Sequence, residues 1–276
     1  MIVVTRHLHS RIKGRVKRKK ILTKIAFVFV LLMIPALRCY YGEHSFLRAI
    51  GDILKLINLQ WFESFKSIQK QNRFNWFENA ARLNDSPLHI QSGWGYLSED
   101  EYNNMVVHVL QRMSIQKEDS VFEFGCGVGA VLLLIQNIYG KNISVGGSDF
   151  SFQQIKRARQ IFPKEASRFY VLSMTQKHDL IPNDSKDHAI SFGALAMYLY
   201  EDEMKITLEE AIRITKPGGR LCFTHFIEPN GKFIGSILEP ISKSFWYEIR
   251  QEYNLKHLII EQMKHQIDRY FVCFTK

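Results

Sequence analysis

The sequence predicts an α/β domain with a mixed, mostly parallel sheet, standing behind a helical N-terminal section and a basic, apolar tag. Three observations predict it. A short β-rich run, Val121 to Phe124, enters glycines at alternate positions (Gly125, Gly127, Gly129) and passes at once into a helix-like segment, Val131 to Ile138. A second strand pattern, Ser144 to Ser148, follows and ends at Asp149, so strand and helix patterns alternate as in a βαβ unit. Ahead of both, residues 1–24 are rich in lysine and arginine and residues 25–41 are almost wholly apolar.

Composition removes several classes. A chain of 276 residues, 46% hydrophobic and 23% charged with seven prolines, buries a sizeable core, which excludes wholesale disorder, collagen-like repeats and a polytopic membrane protein. The cysteines Cys39, Cys126, Cys222 and Cys273 lie far apart with no C-x-x-C pair, which excludes a disulfide scaffold and the usual zinc ribbons and fingers. The net charge of +10 first suggests nucleic acid or an anionic membrane surface. Its placement changes that reading. No acidic residue precedes Glu43, and the ten cations there (Arg6 to Lys24, and Arg38) equal the whole excess. The rest of the chain is balanced, 27 basic against 27 acidic, so no nucleic-acid partner is expected of it.

Ile25 to Leu37 carries no charged or polar side chain. Thirteen helical residues span about 20 Å, short of the roughly 30 Å hydrocarbon core, so Ile21, Leu22 and Cys39 to Tyr41 would lengthen the run, with Lys24 and Arg38 snorkelling. Three readings fit: an uncleaved anchor or signal-anchor, a cleaved signal or transit peptide, and a buried core helix. No small-x-small cleavage site follows, since Arg38 and two tyrosines come after Ala36, and the flanking cations disfavour burial. The anchor is the expectation, and it makes the protein membrane-associated. The positive-inside rule puts the basic side in the cytosol, while a shallow one-leaflet insertion would leave the body there too. The N-x-S sequons at Asn84, Asn142 and Asn183 do not decide the side.

Residues 43–115 read as a helical extension. In Ser45 to Ile68, apolar residues recur at three- and four-residue spacing, and Phe74, Trp76 and Phe77 mark a further cover segment. Trp94 and Tyr96 belong to an aromatic, glycine-containing loop that could close over a ligand or simply pack. Ser98 and Glu101 form a capping box for a helix whose apolar face holds Met105, Val106, Val109 and Met113.

The chemistry lies in residues 116–276. Glycines at a strand-to-helix turn let the backbone approach a ligand beside free N–H groups. Asp149, about twenty residues beyond them, stands where a nucleoside-binding unit places a carboxylate for ribose hydroxyls. A dinucleotide fits this much, as does S-adenosylmethionine, and a purely structural turn is the bland alternative. Glu123, two residues before the first glycine, favours the second, because a carboxylate attracts a cationic amino-acid end and repels a pyrophosphate.

The run E-F-G-C-G-V-G followed by G-S-D-F-S resembles the first two motifs of class I S-adenosylmethionine-dependent methyltransferases, in the branch that acts on small molecules. Asp187 to Leu195 is similar to that family's fourth strand and following loop, and Leu208 to Arg220, with its K-P-G-G turn, to the helix and start of the fifth strand. Leu221 to Phe226 would be that strand, and Lys256 to Gln262 with Arg269 to Thr275 the closing pair. The resemblance implies a Rossmann-like seven-stranded sheet with the last strand antiparallel. It implies cofactor contacts from Glu123, Gly125, Cys126, Gly127, Gly129, Asp149 and Phe150, from Met174 and Thr175 after the third strand, and from Ser191 and Gly193 at the fourth. The acid usual after the third strand has no counterpart where Arg168 to Leu172 runs into Ser173-Met174-Thr175-Gln176.

The implied activity is methyl transfer to a nitrogen, oxygen, sulfur or carbon of a small-molecule or lipid-like acceptor. A nicotinamide-dependent oxidoreductase and a catalytically inactive membrane scaffold are the rivals. His225 and Glu228, at the end of the fifth strand, are candidate bases, and Tyr198, with Met197 and Tyr200, a candidate for the acceptor pocket; ordinary structural roles suit all of them equally. Cys126 reads as a space-filler, not a nucleophile. His178-Asp179 has no partner at metal-ligand spacing, so no metal is expected. Gly231 to Tyr253 reads as mostly helical, with Phe245 and Trp246 among the aromatics that could cover the acceptor site. Nothing in the sequence indicates an oligomeric state.

Overall fold

The computed structural model describes Asn75 and residues 78–82, 86–95, 97–195, 199, 201–226, 241–263 and 269–276. The basic tail, the apolar segment 25–41, the expected helix over Ser45–Ile68, Trp76, Phe77, Tyr96, Tyr198 and Glu228 lie outside these residues, as do the side chains of His225 and Arg269. Among the described residues no helix is long and apolar enough to cross a membrane.

A short helix, α1 (Leu88–Gln91), leads to α2 (Glu99–Leu110). The expected capping box starts α2: Ser98 Oγ accepts from the Glu101 amide at 3.3 Å, and the Glu101 carboxylate accepts from the Ser98 amide at 2.9 Å. Then follow β1 (Ser120–Phe124), α3 (Ala130–Tyr139), β2 (Ser144–Asp149), α4 (Phe152–Ile161), a 3-10 turn at Ala166–Arg168 and β3 (Phe169–Val171). The chain continues through β4 (Lys186–Ser191), α5 (Glu201–Ile214), β5 (Thr215–Phe226), α6 (Lys243–Glu252), β6 (Lys256–Gln262) and β7 (Arg269–Thr275).

The seven strands form one sheet in the order β3-β2-β1-β4-β5-β7-β6. β1 to β5 pair in parallel and β7 lies antiparallel between β5 and β6, as expected. Two-residue alternation sends side chains to two cores. Val121, Ile190, Cys222 and Phe271 face α2, α3 and α4, against Met105, Val109, Leu132 and Ile155. Phe122, Phe124, Leu221, Phe223 and Phe274 face α5 and α6, against Leu208, Trp246 and Ile249.

Four expectations are corrected here. The K-P-G-G residues are no separate turn; they swell out of β5, because Thr215 pairs with Lys186 while Arg220 pairs with His188. The third strand is shorter than Arg168–Leu172, since Arg168 closes the 3-10 turn. Phe245 and Trp246 do not cover an acceptor site. They lie on the apolar face of α6, 3% and 0% exposed, with the indole stacked 6.4 Å from the Phe223 ring on the sheet. Cysteine spacing excluded a scaffold of disulfides, yet the β5–β7 register sets Cys222 opposite Cys273 and a single cross-strand disulfide joins them.

Candidate active site

The site is built where β1 and β2 end. The Gly125 and Cys126 amides both donate to the Ser148 carbonyl, at 2.8 and 2.9 Å, which turns the chain sharply off β1. Gly125 and Gly127 take φ of +70° and +53°, a region that costs other residues roughly 1–2 kcal/mol. Gly125 has a second constraint: a Cβ there would stand 2.3 Å from the Ala194 Cβ. The turn therefore reaches α3 with bare backbone facing a cavity.

That cavity encloses ≈ 680 Å³ when the solvent space of its open mouth is counted. Glu123, Gly125, Cys126, Gly127, Asp149 and Phe150 line it from β1, β2 and the turn. Met174 and Gly193 close it from the loops after β3 and β4. These eight expected residues are brought together. Three others are not. Gly129 caps α3 and packs on Phe162, where a Cβ would come within 2.6 Å of the ring. Thr175 turns its hydroxyl to Ser173 Oγ at 2.9 Å, and Ser191 is wholly buried at the end of β4. Strand alternation pairs Ser191 with Phe223, on the sheet face that packs against α5 and α6.

Electrostatics give the cavity its character. Glu123 is 2% exposed and its Oε2 has no hydrogen-bond partner among the described residues. Burial, then the charge of Asp149, holds this carboxyl well above the ordinary range, while the Phe192 amide pulls it back. Asp149 accepts from the Gly127 amide at 3.0 Å and the Ser151 amide at 2.9 Å. Burial nevertheless pushes it up to about 6, with those amides opposing and Glu78 adding to the rise. Burial, then Asp149 and Glu123, raises the Cys126 thiol, which leaves it a neutral filler and not a nucleophile. No lysine, arginine or histidine lines the cavity among the described residues. It is a carboxylate-walled hollow with no cation among those residues.

Asp149 makes this pH-dependent. A ligand that needs its ionised form should bind up to about tenfold more weakly per pH unit below about 6. The unliganded domain changes in the opposite direction: the folded state holds the proton more tightly than the unfolded state, so this group's destabilising contribution fades as pH falls from about 6 towards 3.8. Ligand titrations and thermal melts between pH 5 and 8 check both signs.

Ser92, Tyr102, Val131, Phe192 and Ala194 also line the cavity and were not anticipated, whereas the position of Trp94 was. The Trp94 ring closes over Gly193, where a Cβ would lie 2.8 Å from it. A signal for Tyr102 existed, because it continues the Met105–Val106–Val109–Met113 face one turn earlier. The loop after β3 is braced from below: buried His178 meets Ser148 Oγ at 2.8 Å, its amide donates to Glu210 at 2.7 Å, and Arg213 clamps Glu210. Burial lowers His178, which keeps this imidazole neutral.

A family model described as a methyltransferase domain matches residues 121–219. The tRNA N(3)-methylcytidine methyltransferase Mettl2 of Drosophila melanogaster is 30% identical over 111 residues, covering 39% of this chain and 34% of that protein. Methyltransferase phqN of Penicillium fellutanum is 27% identical over 146 residues, covering 49% and 44%. The chain thus spans less than half the length of these relatives. Among solved structures, a complex of the Haloferax volcanii Trm112 methyltransferase activator with a putative methyltransferase superposes with TM-score 0.51 at 21% identity, over 64% of this chain and 90% of that one. The Haemonchus contortus phosphoethanolamine N-methyltransferase 2 with S-adenosyl-L-methionine gives TM-score 0.51 at 14% identity, over 63% and 52%. At such identities these likenesses carry the fold. The described domain therefore has the Rossmann-like class I methyltransferase fold, and its residues 121–219 carry the match to a methyltransferase domain.

Proposed function

We propose that the protein transfers a methyl group from S-adenosylmethionine to a nitrogen, oxygen, sulfur or carbon nucleophile of a small-molecule or membrane-borne acceptor. One observation carries this reading: the buried, unpartnered Oε2 of Glu123 in a cavity walled by a second carboxylate and lacking a cation among the described residues. A buried carboxylate of this kind is costly unless a positive group meets it. The residues fit the cofactor. Glu123 would take the cationic amino-acid end, Gly125, Cys126 and Gly127 would give backbone room, and the remaining lone pairs of Asp149 would accept from ribose hydroxyls. Phe150, Met174 and Gly193 would close on the base and the mouth.

Bound there, S-adenosylmethionine supplies an electrophilic methyl on a good leaving group. The chain's part is alignment and exclusion of water, which Trp94, Phe192 and Met174 favour as bulky walls. A proton acceptor is needed only for a nucleophile that arrives protonated. His225 is next to last in β5, at the carboxyl end of that strand, a position that suits that role, with Glu228 beyond it in the sequence; Tyr198, which follows β4 in the sequence, would belong to the acceptor side.

Although one relative's name specifies tRNA, the balanced charge of residues 43–276 supplies no excess of lysine and arginine for phosphates, which favours a small or lipid-like acceptor. Residues 25–41 would hold the protein at a membrane. The test is transfer of labelled methyl to fractionated cell extract. Wild type should label an acceptor and Gly127→Arg should not; equal labelling by both would remove the enzymatic reading. Deletion of residues 1–42 should lower labelling of membrane-borne acceptor and spare detergent-dispersed acceptor, and an unchanged rate on intact membranes would count against the anchor.

A further inference from the structure

Tyr102 belongs to α2, outside the segment that matches the methyltransferase domain, and has no counterpart in the motifs discussed above. It is 3% exposed, it lines the cavity, and its hydroxyl has no hydrogen-bond partner among the described residues. The ring is fixed from two sides, stacked on His89 at 5.5 Å and tilted against Trp94 at 6.0 Å. The capping box fixes the start of α2 three residues before it. The hydroxyl is therefore held in place, with a donor proton and no acceptor among the described residues.

What would receive it follows from charge. The amino-acid end of the cofactor carries an ammonium and a carboxylate together. Glu123 suits the ammonium, but Glu123 and Asp149 both repel the carboxylate. A neutral donor must meet that group if the cofactor is to sit here. The cavity offers two hydroxyls of this kind, Tyr102 Oη and Ser92 Oγ, both shielded from solvent and without partners among the described residues. Ser92 Oγ stands 3.4 Å from where a Cβ on Gly127 would be, so it overhangs the glycine turn. Burial, then the Glu123 charge, raises the phenol and keeps it a donor.

Resting on the methyl-transfer reading, we propose that Tyr102 donates to the α-carboxylate of the cofactor, with Ser92 flanking it. The N-terminal extension thereby contributes a cofactor subsite. The subsite makes the protein selective for cofactor forms that retain the carboxyl group, and leaves Glu123 free for the ammonium.

Calorimetric titration of the 276-residue chain with S-adenosylhomocysteine and with its decarboxylated analogue, S-adenosyl-3-thiopropylamine, tests this. Tyr102→Phe keeps the ring and removes only the donor. It should weaken S-adenosylhomocysteine roughly 10- to 100-fold, the range of a hydrogen bond to a charged group, while the analogue changes less than about twofold. Equal weakening of both ligands would mean that the hydroxyl serves Glu123 or the fold, and no change in either would mean that it serves nothing; each overturns the proposal but leaves methyl transfer standing. Wild type that binds neither ligand would overturn both. Melting curves of the variant report whether the fold is kept.

Discussion

Gly127→Arg should abolish cofactor binding while leaving the domain folded. Three glycines stand in the turn, and their surroundings separate them. At Gly125 an added Cβ would collide with Ala194 at 2.3 Å, and at Gly129 with Phe162 at 2.6 Å, so substitution there damages the packing itself. At Gly127 the nearest atoms, Gln154 Oε1 and Ser92 Oγ, stand off at 3.4 Å, and the side chain would enter the cavity. The fold then bears only the positive φ, roughly 1–2 kcal/mol, or a few degrees in melting temperature. Function bears far more. The guanidinium would occupy the hollow and neutralise Asp149, whose Oδ2 already accepts from the Gly127 amide. Affinity for S-adenosylhomocysteine should fall by at least about 100-fold, since a buried ligand would need to displace a paired charge. Calorimetry and thermal melts on one preparation check both halves; a variant that unfolds, or one that binds normally, would each contradict the geometry.

Glu123→Gln should separate stability from function in the opposite direction. The glutamine keeps the shape and the contact with the Phe192 amide, and it removes a charge that burial and Asp149 already oppose. At neutral pH and above, the unliganded variant should melt no lower than wild type. The same change deletes the partner of a cation in a dry site, worth about 3–5 kcal/mol, so affinity and kcat/KM for S-adenosylmethionine should fall roughly 10²- to 5 × 10³-fold. A scaffold that merely tolerated Glu123 would show the stability gain without a binding loss.

Much of this was legible in the sequence because its signals are local. The glycine turn, the Asp149 that ends β2 and the Ser98–Glu101 box each follow from residues within one element or its cap, whereas the closing pair Lys256–Gln262 and Arg269–Thr275 came from the family resemblance. What escaped depends on register between distant elements. Thr175 and Ser191 lie in the right segments, but Thr175 turns its hydroxyl to Ser173, and strand alternation sets Ser191 beside Phe223 on the face that packs against α5 and α6. Cys222 and Cys273 meet only because β7 inserts beside β5. The swelling at residues 216–219 needs the pairing of Thr215 with Lys186 and Arg220 with His188 before it can be seen. Tyr102 reads as one more apolar-face residue until the fold sets its hydroxyl in a cavity beside Glu123. The aromatics of α6 misled for a related reason: amphipathic spacing says that a face is buried, not what buries it.

All of the chemistry depends on a hollow, walled by two carboxylates, that accepts a nucleoside bearing an ammonium group. Titrating wild type with S-adenosylhomocysteine and with NAD, at pH values either side of 6, measures this most directly. The expected result is one saturable site for S-adenosylhomocysteine, weakening as the pH falls below about 6, and no heat with NAD. Binding of NAD with none of S-adenosylhomocysteine would contradict it.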